Sequence, residues 1–248
     1  MRPAAGRRRR LVGALGCALF ATVAIAGPPF VTDDPVPTDH GHWEIYAYGA
    51  GSRADDATSG EAGFDINYGA GEQLQLTLVL PAAWEGSLGG NLDTGTVQMA
   101  AKYRLTDPDG SFPVEVAVFP RVFLPTVRDG AGAPGVSVLL PVWLGRTAGP
   151  WYLFGGGGYQ LNPGRGNRNF WTGGIAASRS VLRGLDLGAE IYGQTPDADG
   201  AQSFLGFNIG VVWSMSPRWS LLASGGAGLV HAHLQGQNDF YVGLRADY

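Results

Sequence analysis

The sequence predicts an all-β protein, a transmembrane antiparallel up-and-down β-barrel of about twelve strands. Three observations predict it. Apolar and polar residues alternate along many segments of about ten residues, a length that suits a tilted membrane strand. The connections between these segments are alternately long and short, and the final segment ends on an aromatic residue, Tyr248.

Residues 1–26 have the composition of a signal peptide. The stretch "MRPAAGRRRR" is basic, and the apolar run that follows ends on small residues at Ala26. We therefore expect export and cleavage after Ala26. A retained helical anchor is disfavoured because the run is short. Lipoprotein processing at Cys17 is disfavoured because apolar residues continue beyond it.

Removal of this segment changes the charge of the chain. The full sequence has 17 basic and 21 acidic residues, and five of the arginines lie in residues 1–26, which leaves 12 basic residues and a net charge of −9. This charge argues against a nucleic-acid partner. The single cysteine, Cys17, leaves with the signal, as suits an exported chain without disulfides.

The alternation has a period of two residues, which is typical of strands because successive side chains point to opposite faces. In "EQLQLTLVL", Leu74, Leu76 and Leu78 oppose Gln73 and Gln75. The same pattern occurs in "TVQMAAKYRL", "GLDLGAEIYGQ" and "DFYVGLRADY". It predicts a barrel over residues 42–248 with strands near 42–51, 61–70, 72–83, 96–106, 112–123, 136–146, 150–160, 170–180, 184–195, 203–214, 218–230 and 239–248.

A secreted β-sandwich would also alternate, with its apolar side turned inward. Strand length favours the barrel, because a membrane strand needs roughly 9–11 residues and a soluble strand averages about 5–6. Counts of ten or fourteen strands remain open. Aromatic residues near one end of the strands also suit a bilayer interface: Trp43, Tyr103, Phe112, Trp151, Trp213, Trp219 and Tyr248.

The connections favour an outer-membrane barrel. Long stretches such as "SRADDATSGE" and "LPTVRDGAGAPG" alternate with short ones such as "TDPDG" and "RTAG". Long extracellular loops and short periplasmic turns are the pattern of outer-membrane barrels. We therefore expect both termini to be periplasmic, and we expect outer-membrane lipid and lipopolysaccharide to surround the barrel.

The stretch "GPPFVTDDP", followed closely by "HWEIY", resembles a family of bacterial outer-membrane proteins. Its members are labelled transporters, or are named for the meta-pathway of phenol degradation. The specific motif covers Gly27–Tyr46, and the likeness extends loosely over the mature chain. The resemblance implies an outer-membrane barrel, suggests apolar or aromatic substrates, and brings no catalytic residues.

Catalytic chemistry has little support in the sequence. The four histidines, His40, His42, His231 and His233, form two pairs that the topology places at opposite ends of the barrel. Each pair alone is an incomplete metal site, and no spacing indicates a histidine-activated serine. We expect no enzyme, no cofactor and no metal, with an outer-membrane hydrolase as a remote alternative.

Charged residues on the strands should face the lumen. The structural interpretation is a set of ion pairs that fill a narrow barrel. The functional interpretation is a polar pore that guides small solutes. About eight strands leave an interior filled by side chains and about sixteen leave a channel, so about twelve predicts a narrow passage that is partly plugged. The pore-lining candidates are Glu44, Asp65, Lys102, Arg104, Glu115, Arg121, Asp186, Glu190, Arg245 and Asp247.

Residues 27–41 are rich in proline and aspartate and precede the first strand. Proline cannot donate ladder hydrogen bonds, so the segment is not a central strand. It either hangs as a periplasmic tail or folds into the lumen as a plug, and the second is favoured slightly. In a plug, Asp33 and Asp34 would meet Lys102, Arg104 or Arg245.

The sequence thus favours a channel or transporter-like barrel for passive passage of small molecules. The alternative is a closed structural or adhesive barrel that presents its extracellular loops. The carboxyl-terminal strand that ends at Tyr248 is the segment through which we expect the barrel-assembly machinery to act.

Overall fold

The computed structural model describes residues 28–54, 57–86, 92–107, 112–126, 135–232 and 237–248. The expected signal segment, residues 1–26, lies outside the described residues. The chain forms one antiparallel sheet. Its segments are β1 Trp43–Ala54, β2 Ala57–Gly71, β3 Leu74–Glu85, β4 Leu92–Thr94, β5 Val97–Arg104, β6 Glu115–Val118, β7 Arg121–Leu124, β8 Ser137–Ala148, β9 Trp151–Leu161, β10 Phe170–Leu182, β11 Leu185–Gln194, β12 Phe204–Ser216, β13 Trp219–Val230 and β14 Asn238–Asp247.

These fourteen segments form twelve barrel strands. Segments β4 and β5 both pair with β3, and β6 and β7 both pair with β5 and β8, so each pair is one interrupted strand. Pro120 lies at the second interruption and has no N–H for the ladder. Its carbonyl still accepts a hydrogen bond from the Ala101 amide at 3.2 Å.

The sheet closes on itself because β1 pairs with β14, with Glu44 opposite Asp247. The predicted antiparallel barrel of about twelve strands is confirmed. The sandwich and the counts of ten or fourteen strands are excluded.

One predicted loop is much shorter than expected. Strands β1 and β2 pair as far as Ala54 and Ala57, so most of the polar stretch "SRADDATSGE" belongs to the hairpin. Polar and small residues follow one another in this stretch without alternating with apolar ones, and for this reason the sequence indicated a loop.

The two faces of the sheet differ in chemistry. Polar side chains such as Asp65, Gln75 and Glu190 are buried on the inner face. Large apolar side chains are exposed on the outer face, among them Phe64, Leu76, Leu80, Met99, Leu140, Leu153, Ile175 and Ile209. This is the arrangement of a barrel whose outer surface meets hydrocarbon. Within the ranges that the structure describes, no helix is long and apolar enough to cross a membrane.

Residues 28–41 run inside the barrel before β1 begins. Phe30, Thr32, Asp33 and Pro35 are buried there. The segment leaves beside the short β2–β3 turn, where His40 forms a parallel bridge with Gly69 and the Gly41 amide donates to the Gly69 carbonyl at 2.8 Å. A Cβ on Gly69 would collide with the carbonyl of Asp39, so this crossing requires glycine.

Candidate functional site

Asp33 lies between two cations of the barrel wall. Lys102 Nζ on β5 is 2.9 Å from Asp33 Oδ1, and an Arg121 guanidinium nitrogen at the start of β7 is 2.5 Å from Asp33 Oδ2. All three side chains are at most 5% exposed. The Phe119 ring packs under both cations, at 4.9 Å from Lys102 Nζ and 4.2 Å from Arg121 Cζ. Charge-assisted hydrogen bonds of this kind are about twice as strong as neutral ones.

A second contact holds the segment to β11 and β12. The Glu190 carboxylate accepts hydrogen bonds from the Val31 amide at 2.8 Å and the Thr32 amide at 2.7 Å. Asn208 Nδ2 also donates to Glu190 Oε1 at 2.7 Å. The Glu190 carboxylate therefore accepts hydrogen bonds from two backbone amides of the segment, in place of the carbonyls of a neighbouring strand.

The Phe30 ring lies over two inward glycines. A Cβ on Gly210 would come within 2.8 Å of the Phe30 ring, and one on Gly188 within 2.9 Å. The ring also packs at 6.2 Å from that of Phe154 on β9. The absence of side chains on β11 and β12 at these positions provides the space that Phe30 fills.

At the other end of the segment, Thr38 binds Gln75. The Thr38 amide and hydroxyl donate to Gln75 Oε1 at 2.8 and 3.1 Å. Gln75 Nε2 donates to Asn67 Oδ1 at 2.8 Å, and Asn67 Nδ2 donates to Asp65 Oδ1 at 2.9 Å. The segment is therefore tied to an ordered polar row on β2 and β3.

A polar cavity of about 250 Å³ lies beside the segment, and groups of both charges surround it: Asp34, Glu44, Asp65, Lys102, Arg121 and Arg245. Desolvation raises the pKa of Asp34 to about 6, against an opposing effect of Lys102, while the nearby Asp33 and Glu44 raise it further. A second cavity of about 350 Å³ opens near the β8–β9 turn, with Asp186 on its wall.

The ten pore-lining candidates all lie on inward positions of their strands, in distinct groups. Five border the first cavity: Glu44, Asp65, Lys102, Arg121 and Arg245. Glu190 binds the segment as described above. The remainder pair locally: Arg104 lies 3.9 Å from Glu115, Asp247 lies 3.1 Å from Arg245, and Asp186 accepts a hydrogen bond from Ser180.

The two plug candidates have different partners from some of those expected. Asp33 meets Lys102 and Arg121, and Asp34 lies 3.9 Å from Lys102. Arg104 and Arg245 instead pair with carboxylates of the barrel wall.

Two further half-buried inward carboxylates were not predicted from the sequence. Glu61 accepts a hydrogen bond from the Tyr48 hydroxyl at 2.9 Å, and Asp239 accepts one from Tyr192. Period two was a sufficient signal for both, because Glu61 has the parity of Asp65 on β2 and Asp239 that of Arg245 on β14.

The histidines do not come together in the described chain. His40 Nδ1 lies 3.4 Å from Glu72, and His231 Nδ1 lies 2.7 Å from the Ser203 carbonyl. His233 lies outside the described residues. Among the described residues, no group of three or more His, Cys, Asp or Glu side chains is placed to hold a metal ion.

No protein-family model and no curated protein matches the chain. Solved structures match in fold. The COG4313 outer membrane channel from Pseudomonas putida F1 has a TM-score of 0.67 at 14% identity, over 86% of this chain and 97% of that one. The NanC porin has a TM-score of 0.58 at 9% identity, over 82% of this chain and 98% of its own. The KdgM porin in complex with disordered oligogalacturonate has a TM-score of 0.56 at 9% identity, over 84% and 99%.

The first of these structures is of the family named for the phenol meta-pathway, to which the stretch Gly27–Tyr46 bears its resemblance. Identities this low show a shared fold. The chain is therefore similar in architecture to outer-membrane channels and porins.

Proposed function

We propose that the chain is a passive outer-membrane channel for small molecules, and that residues 28–41 plug its lumen at rest. The observation that supports this proposal is the way in which the barrel wall binds the segment. Side chains of the wall hold it through Asp33, Val31, Thr32 and Thr38. Within the described chain, its only ladder contact is the bridge at His40. A segment bound in this way can leave without breaking the sheet.

Barrel size supports a passage behind the plug. Twelve strands are intermediate between about eight, which side chains fill, and about sixteen, which leave a water channel. Here the segment supplies much of the filling, as the fit of Phe30 against the inward glycines illustrates. A cavity already lies beside it.

We infer the orientation of the barrel from the loops and turns at its two rims. The segment leaves the barrel at the short-turn rim, where β14 also ends. Short turns are periplasmic in outer-membrane barrels, so we place both termini in the periplasm after cleavage of residues 1–26. Lipopolysaccharide would surround the long-loop rim, and the barrel-assembly machinery would act through β14.

Selectivity in this proposal comes from pore width and from the ten pore-lining candidates, without a cofactor or an enzymatic step. Inward tyrosines stand beside several of the carboxylates; Tyr46, for example, donates to Glu44 at 2.9 Å. Their ring faces suit aromatic solutes, in line with the family resemblance.

The test is planar-bilayer recording of the mature chain and of a variant without residues 28–38. We expect small conductance from the first and a severalfold larger conductance from the second. A matched control carries Asp39→Asn, which alters an exposed acid of the same segment. Equal conductance of the two chains would reject the plug, and no conductance from either folded barrel would reject the channel.

A closed, adhesive barrel is the second candidate, and one observation favours it. The β9–β10 and β11–β12 loops are joined by an antiparallel bridge between Asn167 and Ala198. The Arg168 amide also donates to the Asp197 carbonyl at 2.7 Å. A rigid surface of this kind could present a binding face. Absence of conductance, together with retained loop-dependent adhesion, would support this candidate.

A further inference from the structure

Carboxylates outnumber cations along the lumen. Ten buried or half-buried carboxylates of the described residues lie on inward strand positions or on the segment inside the barrel, against four buried or half-buried cations. The carboxylates are Asp33, Asp34, Glu44, Glu61, Asp65, Glu115, Asp186, Glu190, Asp239 and Asp247, and the cations are Lys102, Arg104, Arg121 and Arg245. This excess of carboxylates over cations is larger than the excess among the pore-lining candidates predicted from the sequence.

The four cations are each compensated by an acid. Lys102 and Arg121 share Asp33, Arg104 lies near Glu115, and Arg245 pairs with Asp247. These contacts place the positive charge of the wall next to negative charge, where it has little net effect on a passing ion.

Several carboxylates, in contrast, are held by neutral donors. Glu61 binds Tyr48 and Asp239 binds Tyr192. Glu190 binds two backbone amides and Asn208. A hydroxyl or amide donor orients a carboxylate without placing a positive charge beside it.

The excess is also uneven along the barrel. Glu61 and Asp239 lie towards the long-loop rim, on strands β2 and β14. Of the four inward cations, only Arg121 lies in the long-loop half of its strand, and the buried Asp33 compensates its charge there. A passage lined by one sign of charge concentrates counter-ions, and rings of Asp and Glu are the usual lining of cation channels.

We infer that the channel selects cationic and zwitterionic solutes over anionic ones, with Glu61 and Asp239 as selectivity residues near the long-loop entrance. This inference rests on the proposed function. Tyrosine ring faces add to the preference, since Tyr48 and Tyr241 stack at 6.0 Å beside Glu61, and aromatic faces attract cations.

The first test is the reversal potential of the mature chain in a KCl gradient across a planar bilayer. We expect potassium to permeate severalfold better than chloride. The double variant Glu61→Gln with Asp239→Asn should lose about half of this preference or more, because both charges disappear while the shapes remain. Glu72→Gln is the matched control, since its side chain is 89% exposed in the β2–β3 turn.

Liposome swelling supplies a second readout with sugars of similar size. Glucosamine should enter faster than glucuronate, and the double variant should narrow the difference. A conducting channel that prefers chloride and glucuronate would overturn the inference and leave the proposed channel intact. An unchanged preference in the double variant would overturn the role of Glu61 and Asp239. No conductance from folded full-length chain and plug-deleted variant would reject the channel and the inference together.

Discussion

Asp33 and Arg121 lie 88 residues apart in the chain, and 2.5 Å separates the carboxylate of one from the guanidinium of the other. Both are buried, and Lys102 completes the group from β5. The ion pairs join the amino-terminal segment to the inner face of the barrel wall. Binding of the segment therefore depends on charges that are far apart in sequence.

Asp33→Asn should loosen the plug. The substitution removes the charge that Lys102 and Arg121 share in a buried position, and removing one partner of a buried pair typically costs about 3–5 kcal/mol. We expect larger conductance and faster proteolysis of the segment, with the barrel still folded. Bilayer recording and limited proteolysis measure the two effects. Asp39→Asn should behave as the parent, and an equally protected segment in Asp33→Asn would contradict the prediction.

Glu190→Gln should release the start of the segment. The carboxylate accepts from the Val31 and Thr32 amides, whereas an amide side chain offers a single acceptor and would leave one buried N–H unsatisfied, at a cost of about 1–3 kcal/mol. Hydrogen exchange at Val31 and Thr32 should accelerate. Asp186→Asn on the same strand is the control, because Asp186 contacts Ser180. Slow exchange at both amides in Glu190→Gln would show that the hydrogen bonds are dispensable.

Gly210→Ala should displace the Phe30 ring from the inward glycines against which it packs. The new methyl group would come within 2.8 Å of the ring, and overpacking of this kind costs about 1–3 kcal/mol. We expect more frequent opening in single-channel records. Gly49→Ala is the matched control, because nothing lies within 4 Å of its Cβ position. Identical records from the two variants would count against the fit of Phe30.

Plug binding should weaken as the pH rises through the range set by Asp34. Its pKa is raised from 3.8 to about 6 in the bound segment, chiefly by desolvation. A carboxyl whose pKa is raised in the bound segment holds its proton more tightly there than in the released segment. Protonation of Asp34 at low pH therefore stabilises binding of the segment. This stabilisation is lost once Asp34 is ionised in both the bound and the released segment.

The measurement is open probability between about pH 4 and pH 8, compared with Asp34→Asn, in which this titration is absent. The difference between the two chains isolates Asp34 from Asp33, Glu44 and Lys102 nearby. We expect the parent to open more often as the pH rises, relative to the variant. A parallel pH response in both chains would rule out Asp34 as its source.

Local sequence was sufficient for the strands and for the face of each charge. Lys102 and Glu190 were assigned to the inner face by parity, and both are buried there. The alternation of apolar and polar residues gave wrong strand bounds at two places where the alternation is lost. Pro120 interrupts one strand, and the polar extension of the first hairpin looked like a loop.

The sequence by itself determined a barrel of about twelve strands with a charged interior, because period two is a property of adjacent residues. Only the tertiary structure decided that Asp33 meets Lys102 and Arg121, while Arg104 and Arg245 pair within the wall. Parity gives the direction of a side chain. Its partner depends on the stagger and curvature of the closed sheet, and on how far the amino-terminal segment enters it, which involve contacts across the whole chain.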